Sequence, residues 1–421
     1  MSKLAKLFAG VGAAFVVLTI LAVTLWLPGT RGETLAPWPV LATSTPERGA
    51  YLAKVGNCAG CHTERGGKPY AGGLGIDTPF GAVYATNLTP DAATGMGNWT
   101  RADFWRAMHH GQSKDGRLLY PAFPYTSYTL VTQDDSDALF AYLKSLPAVN
   151  QTNKPHAVRF PYNSQAALAV WRALYFKPAA YQADAAATAE WNRGAYLVNS
   201  LGHCSACHAA RNALGATDGL NLAGGLIPLQ NWYAPSLVSL QEASVADWRL
   251  EDITALFKTG VSPQASVNGP MAEVVLGSTQ HWTDADLNAM AVYLKALPVT
   301  ASANRLKESS ASPRGSKLYD SHCAQCHGDN GQGVANAYPA LKGNRAVLMP
   351  QKANLVQIVL QGGYSPATAG NPRPYGMPPF VPLLNDTDVA DVLTHIRNSW
   401  GNQAGPVSAF DVMRVRADGV R

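Results

Sequence analysis

The sequence predicts a mostly α-helical chain in which one small helical unit occurs three times in tandem behind an apolar N-terminal helix. Three observations predict it. All six cysteines of the 421 residues lie in three copies of one pentapeptide: Cys58-Ala-Gly-Cys61-His62, Cys204-Ser-Ala-Cys207-His208 and Cys323-Ala-Gln-Cys326-His327. Each copy leads to a stretch that closes with apolar residues at i, i+3 and i+4, the spacing of a helix with one buried face. Ahead of the first copy, Leu7 to Leu27 are 21 consecutive uncharged residues.

That apolar run succeeds Lys3 and Lys6 and, as a helix, would span roughly 31 Å, about one hydrocarbon core. It is longer than the apolar region of a secretory signal and lacks a small-x-small cleavage site, so residues 1–36 are expected to be an uncleaved membrane anchor. The flanking lysines place the remainder of the chain on the non-cytoplasmic side, in the periplasm of a bacterial inner membrane.

The first unit spans residues 37–150. It begins with Arg48-Gly-Ala-Tyr-Leu52 and closes on the stripe Leu139, Tyr142, Leu143 and Leu146. Residues 151–186 are a linker whose Trp171, Tyr175 and Phe176 suit packing on a neighbouring domain. The second unit, 187–300, repeats the opening as Arg193-Gly-Ala-Tyr-Leu197 and closes on Leu287, Met290, Leu294 and Leu297. The third, 301–402, opens more loosely with Arg314-Gly-Ser-Lys-Leu-Tyr319 and closes on Val389, Val392, Leu393, Ile396 and Trp400. Residues 403–421 form a tail without a clear pattern. Each unit therefore reads as short helix, Cys-x-x-Cys-His, loop, middle helix, Gly/Pro-rich loop and closing helix.

The pentapeptide has a specific chemistry. Two thiols one helical turn apart add across the vinyl groups of a haem, and the adjacent histidine becomes the proximal iron ligand. Structural zinc needs four ligands, and no unit has a second cysteine pair. A dithiol redox motif expects a βαβ setting, whereas the pattern here is helical. The expected cofactors are three covalently bound haem c groups, one each at Cys58/Cys61, Cys204/Cys207 and Cys323/Cys326, with His62, His208 and His327 on the iron. A buried cofactor replaces much of each core, which suits a chain with 38 glycines and 28 prolines.

Aligning the repeats gives the sixth ligand. Met271, in Asn268-Gly-Pro-Met271, and Met377, in Tyr375-Gly-Met-Pro-Pro379, both come after the end of the middle helix in a Gly/Pro-rich loop and are expected to lay a thioether on iron. The first unit has Phe123 at that place, which cannot ligate. Its candidates are Met108, in Phe104-Trp-Arg-Ala-Met-His-His-Gly111, then His109 and His110, then Met96 or an open position; Met108 is the residue chosen.

At this point the chain resembles the triple-haem cytochrome c subunits of membrane-bound periplasmic dehydrogenases. The resemblance covers residues 45–402 and rests on Tyr84-Ala-Thr-Asn-Leu-Thr-Pro90, Lys114-Asp-Gly-Arg-Leu-Leu-Tyr-Pro121, Gly202-His-Cys-Ser-Ala-Cys-His208, Gly269-Pro-Met-Ala-Glu-Val-Val275 and the segment around Gly376. It implies three tandem class I cytochrome c domains behind one transmembrane helix. It also implies a role in passing electrons from a catalytic dehydrogenase subunit to ubiquinone or a terminal oxidase. Phe123, Glu190-Trp-Asn-Arg-Gly-Ala-Tyr-Leu197 and Arg211-Asn-Ala-Leu-Gly215 are more similar to cytochromes accompanying molybdopterin aldehyde or isoquinoline-type oxidoreductases, which implies a molybdopterin subunit and an iron–sulfur subunit as partners. The alternative branch serves alcohol, gluconate and sugar dehydrogenases.

The remaining composition excludes more than it adds. A formal net charge of +5, from 33 basic and 28 acidic residues, is too mild and scattered for a nucleic-acid partner. Nothing matches a nucleotide fingerprint, a P-loop or a nucleophile elbow. The acidic residues cluster at helix starts such as Thr132-Gln-Asp-Asp135, where capping explains them. The expectation is an electron carrier without substrate chemistry of its own. A haem peroxidase-like enzyme, using an open haem at Cys58/Cys61/His62, is the alternative of a different class.

Overall fold

The computed structural model describes Gly10, residues 12–19, Pro39 and residues 41–217, 219–300, 312–335 and 337–418. These divide into two compact units: Met1–Ala53 with Cys58–Gln182, and Lys54–Asn57 with Ala183–Arg421. Most of the apolar run Leu7–Leu27 lies outside the described residues. Among the described residues no helix is long and apolar enough to cross a membrane. The expected N-terminal transmembrane anchor, and the inner-membrane location drawn from it, are corrected accordingly.

The first unit contains α1 (Pro46–Val55), α2 (Cys58–His62), β1 (Gly75–Thr78), β2 (Gly81–Tyr84), α3 (Arg101–His110), α4 (Tyr125–Tyr128), α5 (Gln133–Ser145), β3 (Ala157–Val158) and α6 (Gln165–Tyr175). Local signals set the ends. Thr100 and Asp103 form a capping box on α3, and Gly111 ends that helix in the left-handed conformation at φ 57°. Thr132 accepts the Asp135 N–H to start α5. Of the stretch 151–186 expected as a linker, residues 151–182 belong to this unit. β3 extends the β1–β2 hairpin, with Gly81 opposite Val158, and α6 buries Leu168 and Ala169 against Leu118.

The second unit repeats the helix order twice. First come α7 (Ala189–Asn199), α8 (Ser205–His208), β4 (Gly225–Leu226), β5 (Tyr233–Ala234), α9 (Leu250–Thr259), α10 (Pro270–Gly277) and α11 (Asp284–Lys295). Then come α12 (Pro313–His322), α13 (Ala324–His327), α14 (Arg345–Leu348), α15 (Ala353–Gln361), β6 (Gly363–Tyr364), β7 (Gly376–Met377), α16 (Asp386–Arg397) and α17 (Ala409–Asp418). The C-terminal stretch read as a patternless tail carries α17, whose Val412 and Val415 join Val389, Val392, Leu393 and Ile396 in one core. Two valines three residues apart are a helical face too short to stand out in sequence.

One crossing recurs in all three copies. The opening helix meets the closing helix at a glycine: a Cβ on Gly49 would sit 2.6 Å from the Ala138 carbonyl carbon, on Gly194 2.6 Å from that of Ala289, and on Gly315 2.7 Å from that of Asp391. The arginine one residue earlier pairs with an aspartate near the start of the closing helix: Arg48 with Asp134 and Asp135, Arg193 with Asp286, Arg314 with Asp388. At its far end, the same helix sends a cation back to the segment before the middle helix. Lys144 Nζ donates to the Gly97 carbonyl at 2.5 Å, Lys295 Nζ to those of Ala246 and Trp248 at 2.9 and 2.5 Å, and Arg397 Nη1 to those of Val347 and Met349. Glycine permits the backbones to touch, and the ion pair and the cation fix the register of the contact.

Candidate functional site

The crossing aims each opening helix at its cysteine pair. Cys58 and Cys61 lie one turn apart on α2; Cys204 precedes α8 and Cys323 precedes α13, with Cys207 and Cys326 within those turns. None of the six is in a disulfide. Burial pushes the Cys58 thiol up to about 12, with the neighbouring Cys61 adding to it. Burial likewise takes Cys204 to about 12 and Cys323 to about 11.

The three histidines share one geometry. His62 Nδ1 lies 2.7 Å from the Thr86 carbonyl, His208 Nδ1 2.7 Å from that of Pro235, and His327 Nδ1 2.9 Å from that of Pro339. A carbonyl can only accept, so Nδ1 carries the proton and Nε2 presents its lone pair. Burial lowers the pKa of all three rings, against the carbonyl bond that raises it. The rings are therefore neutral, the state that ligates a metal. Among the described residues no group of three or more His, Cys, Asp or Glu converges as a metal site. Each site thus offers two thiols and one oriented imidazole, which fits a metal that arrives inside its own macrocycle and does not fit a bare ion.

Aromatic side chains surround the cysteines. Burial raises the Tyr70 hydroxyl, with Tyr142 and Cys58 contributing, and raises that of Tyr128, with Cys58 and Cys61 contributing. Tyr70 and Tyr142 meet edge to face at 5.9 Å. Beside Cys323, Tyr319 packs on Trp400 at 4.8 Å and donates to the Gly328 carbonyl at 2.5 Å. Motif reading placed Tyr142, Tyr319 and Trp400 only in the helix patterns and missed Tyr70, Tyr128 and the three carbonyls. The carbonyls lie 24, 27 and 12 residues beyond their histidines, so no fixed spacing betrays them.

The candidate distal residues fall in different local settings. Met377 is in β7, opposite Gly363 of β6, and packs on the core of its copy. Met271 was expected in a loop and is instead the second residue of α10, after Pro270, whose missing N–H costs nothing at a helix start. Phe123 is half-buried and meets Tyr128 edge to face at 5.2 Å. Met108 is 5% exposed, on the buried face of α3 with Phe104 and Ala107. Counting back three residues from the helix-ending glycines Gly111, Gly260 and Gly362, its counterparts are Phe257 and Val359. Met96 is 3% exposed, next to Gly97, whose carbonyl Lys144 holds. His109 stacks on Trp105 at 4.5 Å and 16°, and its pKa falls to about 4 through burial and then the neighbouring His110.

The family model described as Cytochrome c matches residues 46–147 and 312–400. The chain is 38% identical over 409 residues to the alcohol dehydrogenase (quinone) cytochrome c subunit of Gluconacetobacter polyoxogenes, covering 92% of this chain and 87% of that one. It is 37% identical to the gluconate 2-dehydrogenase cytochrome c subunit of Pantoea cypripedii, covering 88% and 89%. It is 41% identical to a nicotinate dehydrogenase subunit of Pseudomonas putida, covering 84% of this chain and 30% of that one.

Proposed function

This chain belongs to the cytochrome c family, among the cytochrome c subunits of dehydrogenases, and on that premise we propose that it carries three haem c groups in three successive domains, residues 37–150, 187–300 and 301–402. It is an electron-transfer subunit and not a catalytic one. The observation that supports three centres is the threefold recurrence of a thiol pair, an imidazole and a carbonyl on Nδ1.

A bound haem c would supply an iron that alternates between ferric and ferrous states. The chain's own residues do the rest. Cys58 and Cys61, Cys204 and Cys207, and Cys323 and Cys326 would anchor the three rings. The carbonyls of Thr86, Pro235 and Pro339 hold the proton on Nδ1, so that Nε2 of His62, His208 and His327 keeps the lone pair that would ligate the iron. Met271 and Met377 would supply thioethers, which favour the ferrous state and raise the potential. In the first copy, where Phe123 has no lone pair, Met108 is the proposed ligand.

The partner proposed is the catalytic subunit of a molybdopterin aldehyde dehydrogenase with its iron–sulfur subunit, on the strength of Phe123 and the segments Glu190–Leu197 and Arg211–Gly215; the acceptor is ubiquinone or a terminal oxidase. Coverage of nearly the full length of an alcohol dehydrogenase cytochrome subunit favours a second reading, in which the catalytic partner oxidises an alcohol. Purification through a tag on this chain, with assay of the co-purified subunit for molybdenum, flavin and pyrroloquinoline quinone, separates the two. Haem counting tests the centres: three per chain are expected, falling to two when Cys204 and Cys207 are both replaced by serine. Rapid carbon monoxide binding to the reduced wild type would favour the peroxidase-like alternative at the first haem.

A further inference from the structure

We propose that Asn354 is a positioning residue that clamps the loop behind the second proximal histidine to the third copy, and so sets the rate of electron exchange between the second and third centres; this rests on the three-haem reading. Asn354 stands in the first turn of α15. Its Oδ1 accepts the Tyr233 N–H at 2.7 Å and its Nδ2 donates to the Tyr233 carbonyl at 2.7 Å. A side-chain amide has one acceptor and one donor at the spacing of a backbone peptide. Asn354 therefore serves β5 as a further strand would, opposite its pairing with β4.

The position of that clamp matters. Two residues beyond Tyr233, the Pro235 carbonyl holds His208 Nδ1. On the other side of Pro235, Glu242 accepts the Ser236 N–H at 2.7 Å and the Tyr233 hydroxyl at 2.9 Å. The carbonyl that orients His208 is thus fixed from both flanks, and one of the two fixings comes from the third copy. From Asn354, α15 runs to Gly362, next to Gly363, which pairs with Met377. The Val359 and Leu360 carbonyls also accept the Phe380 and Val381 N–H groups at 3.1 Å. One helix consequently joins the proximal side of the second site to the distal side of the third. Two other bridges join these copies without touching residues 233–236: Arg345, which donates to the Ser244 carbonyl at 2.6 Å and pairs with Asp247, and Thr368, which donates to the Thr259 carbonyl at 3.0 Å.

The step served is the passage of one electron from ferrous iron at one centre to ferric iron at the other; no bond forms or breaks, and the dehydrogenase supplies the electron. The test uses the full chain with its haems. Asn354→Leu removes both hydrogen bonds at similar volume, and Arg345→Met weakens the same interface away from the loop. Amide hydrogen exchange over residues 231–236 is expected to rise in Asn354→Leu and not in Arg345→Met. After pulse reduction of the oxidised protein, redistribution between the second and third haems is expected to slow several-fold in Asn354→Leu alone, with all haems still attached. Met377→Ala, which shifts the third potential, identifies the phase that belongs to this pair. Unchanged exchange and redistribution in Asn354→Leu would overturn the proposal, as would equal slowing in Arg345→Met. If Asn354→Leu does not fold, Asn354→Asp, which keeps the acceptor and loses the donor, should give an intermediate rate; wild-type behaviour there overturns the proposal too. Lack of haem at either cysteine pair in the wild type would instead refute the haem reading, and amide exchange would still report on the clamp.

Discussion

Replacing Gly194 with alanine tests the helix crossing on which each copy is built. The added Cβ would lie 2.6 Å from the Ala289 carbonyl carbon and 2.8 Å from Tyr293 Cβ. Carbon atoms at ease sit about 3.5–4.0 Å apart, so α7 and α11 must part by roughly 1 Å where they cross. Neither side can yield by turning a flexible chain end, because a helix backbone and a Cβ receive the contact. Overpacking costs about 1–3 kcal/mol, the upper part of that range, about 2–3 kcal/mol, applying against unyielding atoms this close, and the better helix propensity of alanine returns about 1 kcal/mol. The expected net loss is about 1–2 kcal/mol. For a folding unit of this size that is a fall of roughly 2–8 °C in the midpoint of its calorimetric transition. Gly49→Ala and Gly315→Ala should behave alike, since their contacts at 2.6 and 2.7 Å are the same contact in the other copies. A midpoint unchanged or raised in Gly194→Ala would refute the close crossing and the equivalence of the copies with it.

Met271→Ala and Met377→Ala should each keep haem covalently attached and lower one potential in a redox titration, because water or hydroxide favours ferrous iron less than a thioether does. Met108→Leu should remove one third of the methionine-to-iron charge-transfer absorbance at a packing cost below about 1.5 kcal/mol, whereas Phe123→Leu should leave that band intact; the reverse pattern would reject Met108. At Asp134, burial opposes ionisation, but hydrogen bonds from Ser44, Arg48 and Thr43 outweigh it and hold the carboxyl below its usual range. Its folded-state pKa is thus depressed, so its contribution is complete above the unfolded value of about 4 and is lost as pH falls through the lower folded value. Asp134→Asn should accordingly flatten the acid limb of the thermal midpoint against pH. Arg397→Met should strip donors from the Gly405, Val347 and Met349 carbonyls and lower the urea midpoint by the equivalent of about 3 kcal/mol or more.

The sequence by itself determined whatever is carried by neighbours along the chain. The cysteine pairs and their histidines stand within five residues, so their chemistry is readable without a fold. The closing helices are readable because their apolar faces repeat every three or four residues, and the Arg-Gly-Ala-Tyr pairs already marked Gly49 and Gly194 as equivalent. Tertiary structure alone decided what depends on residues brought together from afar. Thr86, Pro235 and Pro339 orient the histidines through backbone carbonyls, and any residue type has a carbonyl, so composition carries no trace of the choice. The helical setting of Met271, the packing of α17 and the clamp of Asn354 on Tyr233 arise the same way. Each is a contact whose partner lies many residues distant, selected by burial and hydrogen-bond satisfaction over the whole core.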